Sequence, residues 1–151
     1  MKWVVAADHG GVNLKAKIVE HLKSKGFEVD DLGGFDTQSK SDYPDHADRA
    51  VENLLSYQAD YGVLVCGSGI GISMRANRYK GIRAALVHNE FTAESAKSHN
   101  DANIICFGDR VIDHQLALKC VDVFIRTEFE GGRHIPRLEK LDSPLVQKNE
   151  E

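Results

Sequence analysis

The chain reads as an α/β protein. The expected architecture is a Rossmann-like three-layer sandwich: a five-stranded parallel sheet, helices on both faces and a C-terminal helical extension. Three observations predict it. Short apolar runs alternate along the chain with stretches whose apolar residues fall three or four apart, the pattern of strands feeding helices. Val63-Leu64-Val65-Cys66 and Ile104-Ile105-Cys106-Phe107 are apolar throughout, as strands covered on both faces are. Glycine or polar turn residues follow the runs, as in Asp8-His9-Gly10-Gly11, Gly33-Gly34 and Cys66-Gly67-Ser68-Gly69.

Each element has its own signal. Residues 3–7 are a short apolar strand. Leu14, Ile18 and Leu22, four apart, mark one face of the first helix, and Gly26 ends it. Phe27, Val29 and Leu32 give a weaker second strand, and a polar loop follows over 33–40. Asp42-Tyr43-Pro44 opens the next helix, because proline suits a first helical turn. Ala47, Val51, Leu54 and Leu55 form its apolar stripe. Residues 61–66 are the third strand and 70–77 a short helix. Residues 83–87 are the fourth strand and 91–99 a helix. Residues 103–107 are the fifth strand, and Leu116, Cys120, Val121 and Phe124 mark a longer helix. The alternation stops after Phe129, where Gly131-Gly132-Arg133-His134-Ile135-Pro136-Arg137 leads to a short amphipathic stretch. Pro136 is the expected start of the last helix.

Composition bounds the function. A chain of 151 residues suits one domain. Net charge is −4, and no block of like charge is long enough for a nucleic-acid or membrane surface. Three cysteines do not make a disulfide framework. Met1-Lys2-Trp3-Val4-Val5 lacks the apolar length of a signal peptide. A cytoplasmic protein with free thiols is the expectation.

In an open parallel sheet, ligands bind beyond the carboxyl ends of the strands. Those ends carry Asp8-His9, Gly33-Gly34, Cys66-Gly67-Ser68, His88-Asn89 and Gly108-Asp109-Arg110. The third is the most informative. A buried strand delivers a thiol to the sheet edge, and a glycine-rich loop of free N–H groups runs into a helix. Such a loop holds an anion, and its field favours a thiolate. Known motifs fail here. Ile72 stands where a dinucleotide fingerprint needs its last glycine, and also where a cysteine-phosphatase loop needs arginine. Around Ser68, the places of a hydrolase elbow's glycines hold Cys66 and Ile70.

Several groups admit two readings. Cys66 fits a base beside an oxyanion site, or an ordinary buried cysteine. Asp8-His9 fits a cleft pair, or a helix cap beside a solvated histidine. His99 fits a proton carrier, or a group complementing a helix C-terminus. Arg133 and Arg137 fit a phosphate clamp, or solvated surface charges. Asp42, Asp45, His46 and Asp48 could suggest a metal site, but first-turn acids at a helix N-terminus explain the cluster better. Cys106 and Cys120 read as core.

Six blocks in order resemble the ribose-5-phosphate isomerase B family, which includes galactose-6-phosphate and allose-6-phosphate isomerases. They are Asp8-His9-Gly10-Gly11, Asp42-Tyr43-Pro44, Cys66-Gly67-Ser68-Gly69-Ile70-Gly71, Gly81-Ile82-Arg83-Ala84, His99-Asn100-Asp101-Ala102-Asn103 and Glu130-Gly131-Gly132-Arg133-His134. The resemblance covers roughly residues 3 to 142. It implies one sugar-phosphate isomerase domain over 1–142, with a frayed tail over 143–151. It implies aldose–ketose isomerisation without a metal or organic cofactor. Cys66 would be the base, and His99 would help open the sugar ring. Ser68 and the loop amides of Gly67, Gly69 and Gly71 would hold the oxyanion. Asp8 and Tyr43 would contact the sugar, and His9, Arg110, Arg133 and Arg137 the phosphate. The site would lie between two subunits of a homodimer or homotetramer, with His99, Asn100 and Arg110 coming from the partner. The implied substrate is ribose 5-phosphate, with a six-carbon sugar phosphate or a non-catalytic phosphosugar-binding role as alternatives. Ser68 stands where threonine is frequent in the family, and Arg75 where a small residue is frequent. Ile72 cannot be a base, which strengthens Cys66.

Overall fold

The apolar runs form five strands: β1 (Lys2–Ala7), β2 (Glu28–Asp31), β3 (Tyr61–Cys66), β4 (Ala84–Leu86) and β5 (Ile104–Gly108). The computed structural model describes residues 1–145. The strands lie in the order β2-β1-β3-β5-β4, and every pairing is parallel. Helices α1 (Val12–Ser24), α2 (Tyr43–Leu55), α3 (Ile70–Ala76), α4 (Glu90–Ser98) and α5 (His114–Arg126) each follow a strand, and α6 (His134–Asp142) forms the C-terminal extension. The three-layer sandwich expected from the sequence is the architecture found.

The strand alternation divides the interior into two cores. Trp3, Val5, Ala7, Val63, Val65, Ile105 and Phe107 pack with α1, α4 and α5. Val4, Ala6, Leu64, Cys66, Ile104 and Cys106 pack with α2 and α3. The inner strands are therefore buried on both faces, which is why their sequences are apolar without interruption. The edge strands have one neighbour each and are only partly buried. β2 is accordingly polar, and β4 is shorter than its predicted 83–87.

Buried charge is paired. Lys15 on α1 is 2% exposed, lies 2.8 and 2.9 Å from the two Asp31 carboxylate oxygens, and stacks 4.1 Å from the Phe35 ring centroid. A desolvated amine is tolerable only with such partners. Arg75 binds Asp48 through two nitrogens, at 2.7 and 3.0 Å, and the Tyr79 hydroxyl donates to the same carboxylate. Arg75 thus clamps α3 to α2, and the clamp holds the Asp48 carboxyl below its usual range. Asp42 is the N-cap of α2 and Asp45 lies in its first turn.

The last helix begins at His134, two residues before the expected Pro136. Proline is accepted there because N–H groups in a first helical turn have no intrahelical partner. Ser143 caps the end of α6. Of the expected frayed tail over 143–151, residues 146–151 lie outside the described residues. No helix among the described residues is long and apolar enough to cross a membrane.

Helices α1 and α3 leave β1 and β3 toward opposite faces. The strand order reverses between those two strands. A crevice therefore opens at their carboxyl ends, where such sheets bind ligands.

Candidate active site

Cys66 is the last residue of β3 and is 4% exposed. The Gly69 N–H donates to its sulfur at 3.1 Å. Gly69 has φ of 77°, and a Cβ there would stand 2.6 Å from Leu86 Cδ1 and 2.8 Å from the Phe107 carbonyl carbon. Only glycine turns the chain back over β5 this tightly, and that turn aims the amide at the thiol. Ser68 is exposed, and its Oγ accepts from the Ile70 N–H at 3.2 Å. A Cβ on Gly71 would stand 2.6 Å from Tyr43 Cζ, so the Tyr43 ring lies directly on the start of α3.

Two further turns close on the loop. The Arg110 N–H donates to the Gly67 carbonyl at 3.1 Å, and its guanidinium Nη1 lies 2.8 Å from where a Gly67 Cβ would be. Gly10 also packs on the loop, since its Cβ would stand 3.2 Å from Gly67 N. Asp8, 7% exposed, accepts from the Gly10 N–H at 2.9 Å, which makes the tight turn after β1. His9 Nδ1 meets the Ser41 main chain, 3.1 Å from N and 3.2 Å from O. Asp8, His9, Tyr43, Cys66, Ser68, the loop glycines and Arg110 thus gather at the carboxyl edge. Asn89, by contrast, caps α4.

The other thiols are unsuited to chemistry. Burial pushes the Cys106 thiol up strongly and the Cys120 thiol up to about 11. Both remain protonated at neutral pH.

His99, Asn100, Arg133 and Arg137 form a second group. Ile104 starts β5 opposite Gly62, four residues before Cys66 on β3. Four strand residues span about 13 Å. His99 caps the C-terminus of α4 and precedes β5, so it stands at the amino edge of the sheet. There its ring stacks on His134, with centroids 4.5 Å apart and planes 17° apart. Glu130 binds His134 Nε2 at 3.1 Å, and the Glu130 N–H donates to the Ser98 carbonyl, which ties the start of α6 to the end of α4. Arg133 and Arg137 are exposed and in no ion pair among the described residues.

The ligand atoms of His99, Glu130 and His134 lie within 4.8 Å of one another. The two rings are nearly parallel. Their in-plane lone pairs therefore run side by side rather than converging on a tetrahedral ion. The arrangement suits proton handling. His134 and Glu130 were within a recognised sequence block but carried no expected role. Their i,i+4 spacing beside Arg133 was the available signal.

One chain does not bring the two groups together. The sheet separates them. Arg110 belongs with the carboxyl-edge group of its own chain, although the resemblance placed its equivalent on the partner. The turn after β5 puts it there, against Gly67. A cavity of about 790 Å³ lies between the α3–β4 turn and the end of α6 and includes Asn100 alone of the expected site residues.

Comparison with known proteins gives the family. The family model described as Ribose/Galactose Isomerase matches residues 4–141. The chain is 37% identical to ribose-5-phosphate isomerase B of Escherichia coli, covering 98% of this chain and 99% of that one. A ribose 5-phosphate isomerase of Thermotoga maritima superposes with a TM-score of 0.91 at 46% identity, covering 93% and 97% of the two chains. The Mycoplasma genitalium ribose-5-phosphate isomerase B solved with bound ribulose-5-phosphate gives 0.88 at 42% identity, covering 93% of each. The chain belongs to the ribose/galactose isomerase family.

Proposed function

We propose that the protein interconverts ribose 5-phosphate and ribulose 5-phosphate through an enediolate, with Cys66 as the base, in a site completed by a second copy of the chain. The carrying observation is the Cys66 sulfur at the carboxyl edge, receiving the Gly69 amide of a loop that packs against Gly10 and the Tyr43 ring. The Escherichia coli relative is a ribose-5-phosphate isomerase B and the Mycoplasma genitalium one was solved with ribulose-5-phosphate, which supports the pentose.

The steps balance without an electron carrier. The Cys66 thiolate takes the C2 proton of the open-chain aldose. The C–H electrons form the C1–C2 double bond, and the carbonyl pair moves to O1. The O2 proton then passes to O1. The thiol returns its proton to C1 as O2 becomes the carbonyl. Donors placed where that negative charge develops are worth a few kcal/mol each. The Ser68 hydroxyl and loop amides fill this role. His99, as proton carrier, opens the ring before the first step. His9, Arg110, Arg133 and Arg137 hold the phosphate, whose binding positions the reacting carbons.

Because the groups lie at opposite sheet edges, a two-fold dimer completes the site. The carboxyl edge of one copy would meet the His99, Asn100, Arg133 and Arg137 edge of another, twice. The phosphorylated substrate fits the expected cytoplasmic location.

The test is the isomerisation rate of the purified protein on ribose 5-phosphate, allose 6-phosphate and galactose 6-phosphate. The reading expects kcat/KM highest for ribose 5-phosphate. Preference for a six-carbon substrate keeps the chemistry and overturns the pentose. No turnover on any of the three overturns the isomerase reading.

A further inference from the structure

We propose that Ser41 and His46 are positioning residues that fix the His9 imidazole at the cleft; this rests on the reading that His9 contacts the substrate phosphate. No block of the sequence gave either residue a role.

The contacts form a relay. His46, on the first turns of α2, is 7% exposed. Its Nδ1 lies 2.6 Å from an Arg49 guanidinium nitrogen. Arginine only donates, so Nδ1 accepts and the neutral ring carries its proton on Nε2. That proton is directed at Ser41 Oγ, 2.9 Å away. Residues 35–40 before Ser41 are exposed. The His46 bond ties the Ser41 side chain to α2. Ser41 in turn presents both main-chain groups to one nitrogen of His9. Its N–H donates to a bare Nδ1, or its carbonyl accepts from a protonated one. Either way Nδ1 is engaged, and Nε2 is the ring nitrogen left for a ligand.

The relay needs a neutral His46. A proton on its Nδ1 would face the Arg49 guanidinium donor to donor. Burial, then Arg49, lowers the affinity of this ring for a second proton; Asp8 and Asp45 oppose that effect, and His9 adds to it. Asp8 and Asp45 are thus the acids facing the ring, and Arg49 and His9 the bases.

The variants Ser41→Ala and His46→Met remove the relay at different points. The first leaves the buried volume of α2 untouched. His46→Gln keeps a side-chain N–H donor. In protein labelled with ¹⁵N-histidine, the His9 ring signals of the wild type should show a resolved tautomer that shifts with inorganic phosphate. In Ser41→Ala and His46→Met they should move toward averaged values, and His46→Gln should recover part of the difference. KM for ribose 5-phosphate should rise about tenfold, the loss of one well-placed charge-assisted hydrogen bond, with kcat changed much less. In a His9→Ala background the same substitutions should add nothing. Unchanged His9 ring signals overturn the proposal, as does a KM effect that persists without His9. A wild type with no isomerase turnover, but with ring signals that respond as described, sinks the isomerase reading and leaves the positioning intact.

Discussion

Mixing two inactive variants tests the division of the site between chains most directly. Cys66→Ala disables the carboxyl-edge group and leaves the amino edge intact. His99→Ala does the reverse. The β3–β5 register separates the levels of these groups by four strand residues, about 13 Å, so neither chain can pair its own two groups across the sheet. In a two-fold heterodimer, one site receives both defects and the other receives none. Refolding a 1:1 mixture makes half of the dimers mixed, so about a quarter of the wild-type activity should return. Heterodimer purified through two different tags should reach about half. Losing a general base costs about 10²–10⁴-fold, so each parent should sit near or below one per cent. Recovery to a quarter is therefore unmistakable in a ribose 5-phosphate isomerisation assay. A doubly tagged heterodimer with no more activity than its parents would refute the shared site and require Cys66 and His99 to act within one chain.

Three other outcomes follow from the geometry. Gly26 and Gly69 both have positive φ, but a Cβ on Gly26 meets nothing while one on Gly69 meets Leu86, Phe107 and Gly108. Alanine should cost about 1–2 kcal/mol at Gly26 and a further 1–3 kcal/mol or so of overpacking at Gly69; equal melting temperatures for the two variants would contradict the packing of the loop on β5. Iodoacetamide at pH 7.5 should label Cys66 before Cys106 or Cys120, whose thiols burial holds protonated, and ribose 5-phosphate should slow it; peptide mapping that finds Cys66 the slowest would argue against a cleft thiol. His46 is held below its ordinary value of 6.5 in the folded chain. Below that pH the unfolded chain binds more protons, so stability falls with acid. Urea midpoints should therefore drop less between pH 6.5 and 5 in His46→Met than in the wild type, and parallel curves would show that His46 does not titrate differently on folding.

How much of this was legible follows from what each signal depends on. Burial on both faces writes itself into sequence as unbroken apolar runs, so β1, β3 and β5 were readable. β2 and β4 are edge strands whose pairing depends on one neighbour, so their bounds were not. The loop after Cys66 was readable because its glycines answer to local geometry: a left-handed turn at Gly69 and a ring on Gly71. Strand order left no such trace. Without it, the crevice could not be placed between β1 and β3. Arg75 shows the same limit. Its partner Asp48 is 27 positions away on another helix, and only packing makes the two neighbours. His46 goes further. Alone it is a histidine among acids, and its use depends on an arginine one turn on and a loop serine five residues back. Residues that act on substrate carry their chemistry in their type. Residues that hold them in place carry it in their contacts.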